Sequence, residues 1–271
     1  RGQRLNPAAL GMAASLGLAR LDVVARPRVA LFSTGDELVM PGDVPPQDMK
    51  PGAIYNSNRF FLRELLHRFG CEVSDLGIVP DRRDATLAAL KTAADHHDLI
   101  LTSGGVSVGE EDHIKPAVQA LGSLDLWQIA MKPGKPFAYG TVRRDAGAGA
   151  AAGSVSHFIG LPGNPVSSYV TFLLLVRPVL LRLQGVLDTA VLGLPPAVPL
   201  RADFALPRAD KRREFLRVRR NASGGVDLFP NQSSGVLTSV VWADGLVDNP
   251  SGRTIAPGDA VNVIALSDLL A

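Results

Sequence analysis

The stretch Leu99–Asp112 reads LILTSGGVSVGEED, an apolar run that breaks into a glycine-rich loop bearing hydroxyls and ending in acids. A short apolar run bounded by turn residues is the pattern of a strand buried on both faces, as in a parallel sheet covered by helices. Gly104, Gly105 and Gly109 open backbone conformations closed to other residues and let a ligand come close. Thr102, Ser103 and Ser107 can hydrogen-bond phosphate-like oxygens, while Glu110, Glu111 and Asp112 add hard oxygen donors suited to magnesium. Taken alone, the loop reads equally well as a turn with a solvated acidic end.

Working outward, residues 28–185 alternate short apolar or β-branched runs with helical patterns, which predicts a mostly parallel sheet between two helical layers. Arg28–Ser33, Val73–Val79 and Asp98–Leu101 read as strands. Phe61, Leu62, Leu65, Leu66 and Phe69 share one stripe of a helix over 58–69 that Gly70 stops. Asp84 is placed to cap a helix running to about Asp95. Pro116 lacks an amide hydrogen, so the helix after the opening loop starts about two residues before it. Leu124–Met131 reads as one further strand, and Phe137–Val142 pairs with Ser156–Ile159 across an Ala/Gly-rich connector. Asn164 caps a long helix with Pro165 at its first position, and Pro178 is expected to kink it.

After Leu187 the pattern becomes short, β-rich and punctuated by Gly, Asn and Pro. Glu214–Arg219 and Val226–Phe229 form a hairpin through Asn221–Gly225, and Ala260–Ala265 closes the chain as a strand. The expected division is an N-terminal segment over 1–26, an α/β domain over 27–187 and a small all-β domain over 190–271.

A net charge of +2 is too small for a nucleic-acid footprint. The basic run Arg208, Lys211, Arg212, Arg213, Arg217, Arg219 and Arg220, with Asp210 and Glu214 inside it, reads as a solvated strand face. Cys71 is the only cysteine, which excludes an internal disulfide and points to a reducing, cytoplasmic setting. Val170–Leu183 is interrupted by Arg177, Pro178 and Arg182 and is too short to span a membrane. No signal peptide opens the chain, and its start at Arg1 suggests a fragment of a longer polypeptide.

In open α/β sheets, ligands bind beyond the carboxyl ends of the strands, where this chain gathers its unusual residues. One end offers Ser33, Thr34, Gly35, Asp36 and Glu37, a second Asp81, and a third the opening loop with Asp112. Lys132 and Lys135 sit in KPGKP, held by two prolines. Gly160–Pro165 reads GLPGNP, a turn that aims free helix amides at the same edge and so favours an anion. Scattered histidines and one cysteine make a zinc site a poor reading, and the glycine spacing matches neither a dinucleotide fingerprint nor a Walker loop.

The ordered motifs STGDE, TSGGVSVGEED, KPGKPFAYG and GLPGNPVS resemble the molybdopterin molybdotransferase family of molybdenum-cofactor synthesis, which includes the C-terminal domain of gephyrin. The resemblance implies a three-layer α/β/α domain followed by a small barrel-like β domain, in a protein that forms homodimers and works beside a molybdopterin adenylyltransferase. It implies a magnesium-dependent reaction of adenylylated molybdopterin with molybdate that releases AMP. It assigns Asp36, Glu37, Asp81 and Asp112 as the acidic active-site set, with Glu37, Asp81 and Asp112 on the metal, and Lys132 and Lys135 as anion-binding lysines. Thr34, Gly35, Ser103, Gly104, Gly105, Ser107, Pro162, Gly163, Asn164 and Pro165 would shape the nucleotide and pterin pocket, with Ser234 joining from the β domain. Two departures stand out: Gln128 replaces a lysine common in relatives, and the family's N-terminal portion is absent. Competing functions are the adenylyltransferase that acts one step earlier, against which residues 190–271 argue, and a non-catalytic scaffold.

Overall fold

The fold was obtained as a computed structural model and is described for residues 2–106, 113–145 and 153–271. The chain opens with α1 (Pro7–Ser15), β1 (Arg28–Thr34), β2 (Leu38–Val39), β3 (Ile54–Tyr55), α2 (Asn58–Arg68) and β4 (Glu72–Val79). It continues through α3 (Arg83–His96), β5 (Leu99–Ser103), α4 (Ile114–Leu121), β6 (Gly122–Trp127), β7 (Met131–Lys132), β8 (Ala138–Arg143) and β9 (Val155–Leu161). Next come α5 (Pro165–Thr171), a π-helical turn over Phe172–Val176, α6 (Arg177–Leu183) and α7 (Thr189–Leu192). The last part holds β10 (Val198–Ala202), β11 (Arg213–Arg220), β12 (Gly225–Leu228), α8 (Thr238–Trp242), β13 (Gly245–Asn249), β14 (Ala260–Ala265) and α9 (Leu266–Leu269).

Six strands form the first sheet in the order β4-β1-β5-β9-β8-β6, parallel from β4 to β9 and antiparallel beyond. Strand side chains alternate between faces. Val29, Leu31, Leu99 and Leu101 therefore pack with Leu62 and Leu66 of α2 and with Val166 and Val170 of α5. Ala30, Phe32, Ile100 and Phe158 point the other way, onto Leu90 and Ala94 of α3 and Ile114 and Val118 of α4. Leu31, Leu62, Leu66 and Leu101 are 0% exposed, and each such burial stabilises the sandwich by about 1.5–3 kcal/mol. Three layers follow from that alternation, as the sequence predicts.

The second sheet runs β12-β10-β14-β13-β11-β7, and an additional β12–β11 pairing closes five of its strands into a small barrel. Val218, Val226, Val247 and Val263 fill it. The predicted hairpin and the Ala260–Ala265 strand are both present.

Several expectations are corrected. Leu124–Met131 is not one strand: β6 stops at Trp127, and β7 pairs instead with β11, with Met131 opposite Arg213 and Lys132 opposite Glu214. Arg82 occupies the cap position of α3, and Asp84 lies inside the first turn, where its charge suits the helix dipole. Just before Pro178 the helical run passes through the π-helical turn over Phe172–Val176, and Pro178 falls in the first turn of α6. Asn164 does sit at the N-cap of α5, with Pro165 first, but its side chain makes no capping bond. The helical run Pro165–Leu183 is long and apolar enough to cross a membrane, yet it is the central core helix, with most of its apolar window buried. The basic run is not uniformly solvated either, since Glu214 is 3% and Arg217 1% exposed.

Candidate functional site at the strand ends

A cavity of about 670 Å³ lies at the carboxyl edge of the parallel strands. Strand β1 delivers Thr34, Gly35 and Glu37 to its wall, β4 delivers Asp81, β5 delivers Ser103, Gly104 and Gly105, and the β9–α5 turn delivers Pro162, Gly163, Asn164 and Pro165. The structure thus brings together most of the residues singled out from the sequence. Others lie elsewhere. Asp36 is exposed and off the wall, as is Lys135; Ser107 and Asp112, with Gly109, Glu110 and Glu111, lie outside the described residues.

The glycine floor has a steric reason. Gly104 has φ +90° and a Cβ there would stand 2.5 Å from Thr34 O; Gly105 has φ +67° and its Cβ would meet Thr34 Oγ1 at 2.5 Å. No L side chain satisfies both demands. The loop therefore lies directly on the end of β1, and Gly104 N donates to Leu161 O at 3.1 Å, tying it to β9 as well.

The barrel reaches the same cavity. Gly235 lines it, and the carbonyl of the neighbouring Ser234 accepts from Val166 N at 2.9 Å. One of the α5 amides expected to be free for an anion is therefore occupied. Arg217, on the face of β11 opposite the barrel interior, braces this loop, donating to Ser239 Oγ at 3.2 Å, Phe215 O at 3.1 Å and Ser233 O at 3.5 Å. Burial pushes its pKa down to about 10.

Lys132 does not line the cavity. Its Nζ lies 2.9 Å from Glu214 Oε1 and 3.4 Å from Asp210 Oδ2, and the hydrogen bond to Glu214 raises its pKa. The pairing of β7 with β11 puts it there. Asp210 is held well below the usual carboxylate range, chiefly by Arg212.

Tyr55, Asn56, Ser57 and Asn58 were missed by sequence reasoning, although all four line the cavity. The polar run NSN directly before an amphipathic helix was the available signal. Asn56 and Thr34 are 2% and 3% exposed, and Asn56 Nδ2 and Thr34 Oγ1 find no hydrogen-bond partner among the described residues. Such buried polar atoms are satisfied most simply by water or a bound ligand. Among the described lining residues the charged side chains are Glu37 and Asp81, both acidic. No cluster of three or more His, Cys, Asp or Glu occurs among the described residues. Two carboxylates nevertheless fit magnesium, which is commonly held by one or two together with ligand phosphates.

Residues 30–182 match the family model described as a probable molybdopterin binding domain, and residues 199–266 match the MoeA C-terminal region, domain IV. A molybdopterin molybdenumtransferase of Haemophilus influenzae is 40% identical over 217 residues, covering 80% of this chain and 49% of that protein. Its namesake in Nostoc is 32% identical over 270 residues, covering 97% of this chain and 58% of that protein. A solved molybdopterin biosynthesis MoeA protein of Pyrococcus horikoshii superposes with TM-score 0.77 at 29% identity, covering 97% of this chain and 60% of that one. The chain thus spans only about half to three-fifths of the length of these relatives. Matched over more than half its length by the first of those models, the chain belongs to the molybdopterin-binding domain family, in the form that carries a MoeA C-terminal region.

Proposed function

We propose that this chain supplies the nucleotide- and pterin-binding part of a molybdopterin molybdenumtransferase, which transfers molybdate to adenylylated molybdopterin and releases AMP. The observation that carries the reading is the cavity itself: a glycine floor, hydroxyl and amide donors and two carboxylates meet where both matched regions touch. Relatives named molybdopterin molybdenumtransferase over most of this chain support it.

The chain's own groups divide the work. Gly104 and Gly105 would let a phosphate approach closely, with the hydroxyls of Thr34 and Ser103 as donors to it. Glu37 and Asp81 would repel that phosphate, and a bridging cation would offset the repulsion. Glu37 and Asp81, with Asp112, would hold Mg2+, which would neutralise the phosphoanhydride as its charge redistributes. Lys132 and Lys135 would take the molybdate oxyanion, Lys132 by exchanging its contact with Glu214 or Asp210 for the anion. Ser234 adds a hydroxyl at the barrel side. Pro162–Pro165 would complete the substrate surface, Asp36 and Ser107 would join it from beside the cavity, and the absent lysine at Gln128 leaves one positive charge fewer near the anion.

Homodimer formation is part of the same reading. Leu10, Met12, Leu16 and Val23 along the N-terminal segment are 51%, 65%, 74% and 69% exposed, an unusual apolar display for an isolated subunit. Adenylylated molybdopterin would come from a molybdopterin adenylyltransferase, in the cytoplasm. The test is AMP release from adenylylated molybdopterin by the full-length protein: release that requires both molybdate and Mg2+ supports the assignment, and no release contradicts it.

A further inference from the structure

Beneath the cavity, three chain segments meet at one side-chain amide. Asn58 opens α2, is 7% exposed, and donates through Nδ2 to Ser103 Oγ at 2.8 Å and Gly163 O at 2.7 Å. Ser168 Oγ lies 3.5 Å from the same nitrogen and itself donates to Pro162 O. A carbonyl oxygen only accepts, so Gly163 fixes which end of the Asn58 amide faces the turn. Pro162 and Gly163 lie beyond the end of β9, and their two carbonyls are taken by Ser168 and Asn58 respectively rather than by a neighbouring strand. On the other side Gly104, next to Ser103, stands close enough that a Cβ on Gly163 would lie 3.9 Å from its Cα.

We propose that Asn58 is a positioning residue for the cavity: by donating to Ser103 and Gly163 at once, it sets the spacing of the TSGG loop and the PGNP turn, and so the slot that receives the nucleotide phosphate. The nucleotide part of this rests on the function proposed above; the clamp itself rests on geometry alone. Aspartate at this position has the same shape but, when ionised, no proton to donate. Its oxygen then faces the Gly163 carbonyl and the two loops part. Protonation returns one donor, so Asn58→Asp makes the clamp depend on pH where the native amide does not.

The experiment compares the intact chain with Asn58→Asp and Asn58→Ser, a shorter side chain that folds without reaching Gly163. It reads Mg2+-AMP affinity by calorimetry and exchange of the Gly104 and Val166 amides by NMR, as variant-to-native ratios at about pH 8 and about pH 5.5. Asn58→Asp is expected to weaken AMP by about tenfold or more at the higher pH and to recover most of it at the lower, with amide exchange accelerated only at the higher pH. Asn58→Ser is expected to lose affinity at both. Affinity and exchange within about twofold of native in both variants overturn the proposal, as does an Asn58→Asp loss with no pH dependence. Should the native chain not bind Mg2+-AMP, the nucleotide reading falls. Amide exchange then decides the clamp: acceleration in the variants supports it, and unchanged exchange overturns it.

Discussion

Lys132 shows how far a single residue's surroundings can depart from its sequence context. Just before Pro133 it reads as a free cation for an anion, but β7 places it against Glu214, which is 3% exposed. Removing one partner of a buried pair leaves the other charge stranded. Because the lysine side chain is 42% exposed, we expect Lys132→Ala to cost about 2 kcal/mol, below the usual range for fully buried pairs. Lys132→Met combined with Glu214→Leu should recover most of that loss in urea unfolding, and additive losses would contradict the pairing. Cys71 offers a second check. Burial lifts its thiol from 9.0 up to about 12, so the native protein keeps it protonated. It should resist a thiol reagent at about pH 8 and react fully once unfolded. Since only the unfolded chain ionises it between 9.0 and about 12, this group lowers stability as pH rises through that window and has no effect below it.

At the scale of elements, the loop after β5 carries the clearest prediction. Gly104→Ala must either push Thr34 O away or abandon φ +90°, which should cost about 1–3 kcal/mol in urea unfolding and weaken AMP binding along with it. Unchanged stability would mean that the loop does not lie on β1. Strands and helices whose partners are close in sequence, or whose pattern is periodic, were legible beforehand: Ile114 opens α4 two residues before Pro116, and Ala260–Ala265 is a strand. Strand β7 was not, because it is only two residues long and its partner β11 lies some eighty residues on, information that no local window holds. The burial of Arg217 and Glu214 was hidden for a related reason. A run of charges reads as solvent-facing unless one knows that the Ser233–Ser239 segment covers Arg217 and that Lys132 and Asn249 pack on Glu214. Asn56–Asn58 carry no periodicity, and their role emerges only when α2 is set beside β5 and the β9–α5 turn.

For the whole molecule, the two six-stranded sheets are bound together by β7, by the Lys132–Glu214 contact and by the Ser234–Val166 hydrogen bond. Calorimetry should therefore show one cooperative thermal transition; two well-separated transitions would mean that the barrel and the α/β layers fold independently. The meeting of the residues after β1, β4, β5 and β9 on one sheet edge was readable from the sequence, but the lysines of KPGKP do not join them there, and the barrel's share in the cavity wall through Gly235 required the fold. The most direct test of the account is a crystal structure of this chain with AMP, Mg2+ and molybdate. It predicts the AMP phosphate over Gly104 and Gly105, with the cation between that phosphate and Glu37 or Asp81; AMP bound outside this cavity, or not bound at all, would contradict the account.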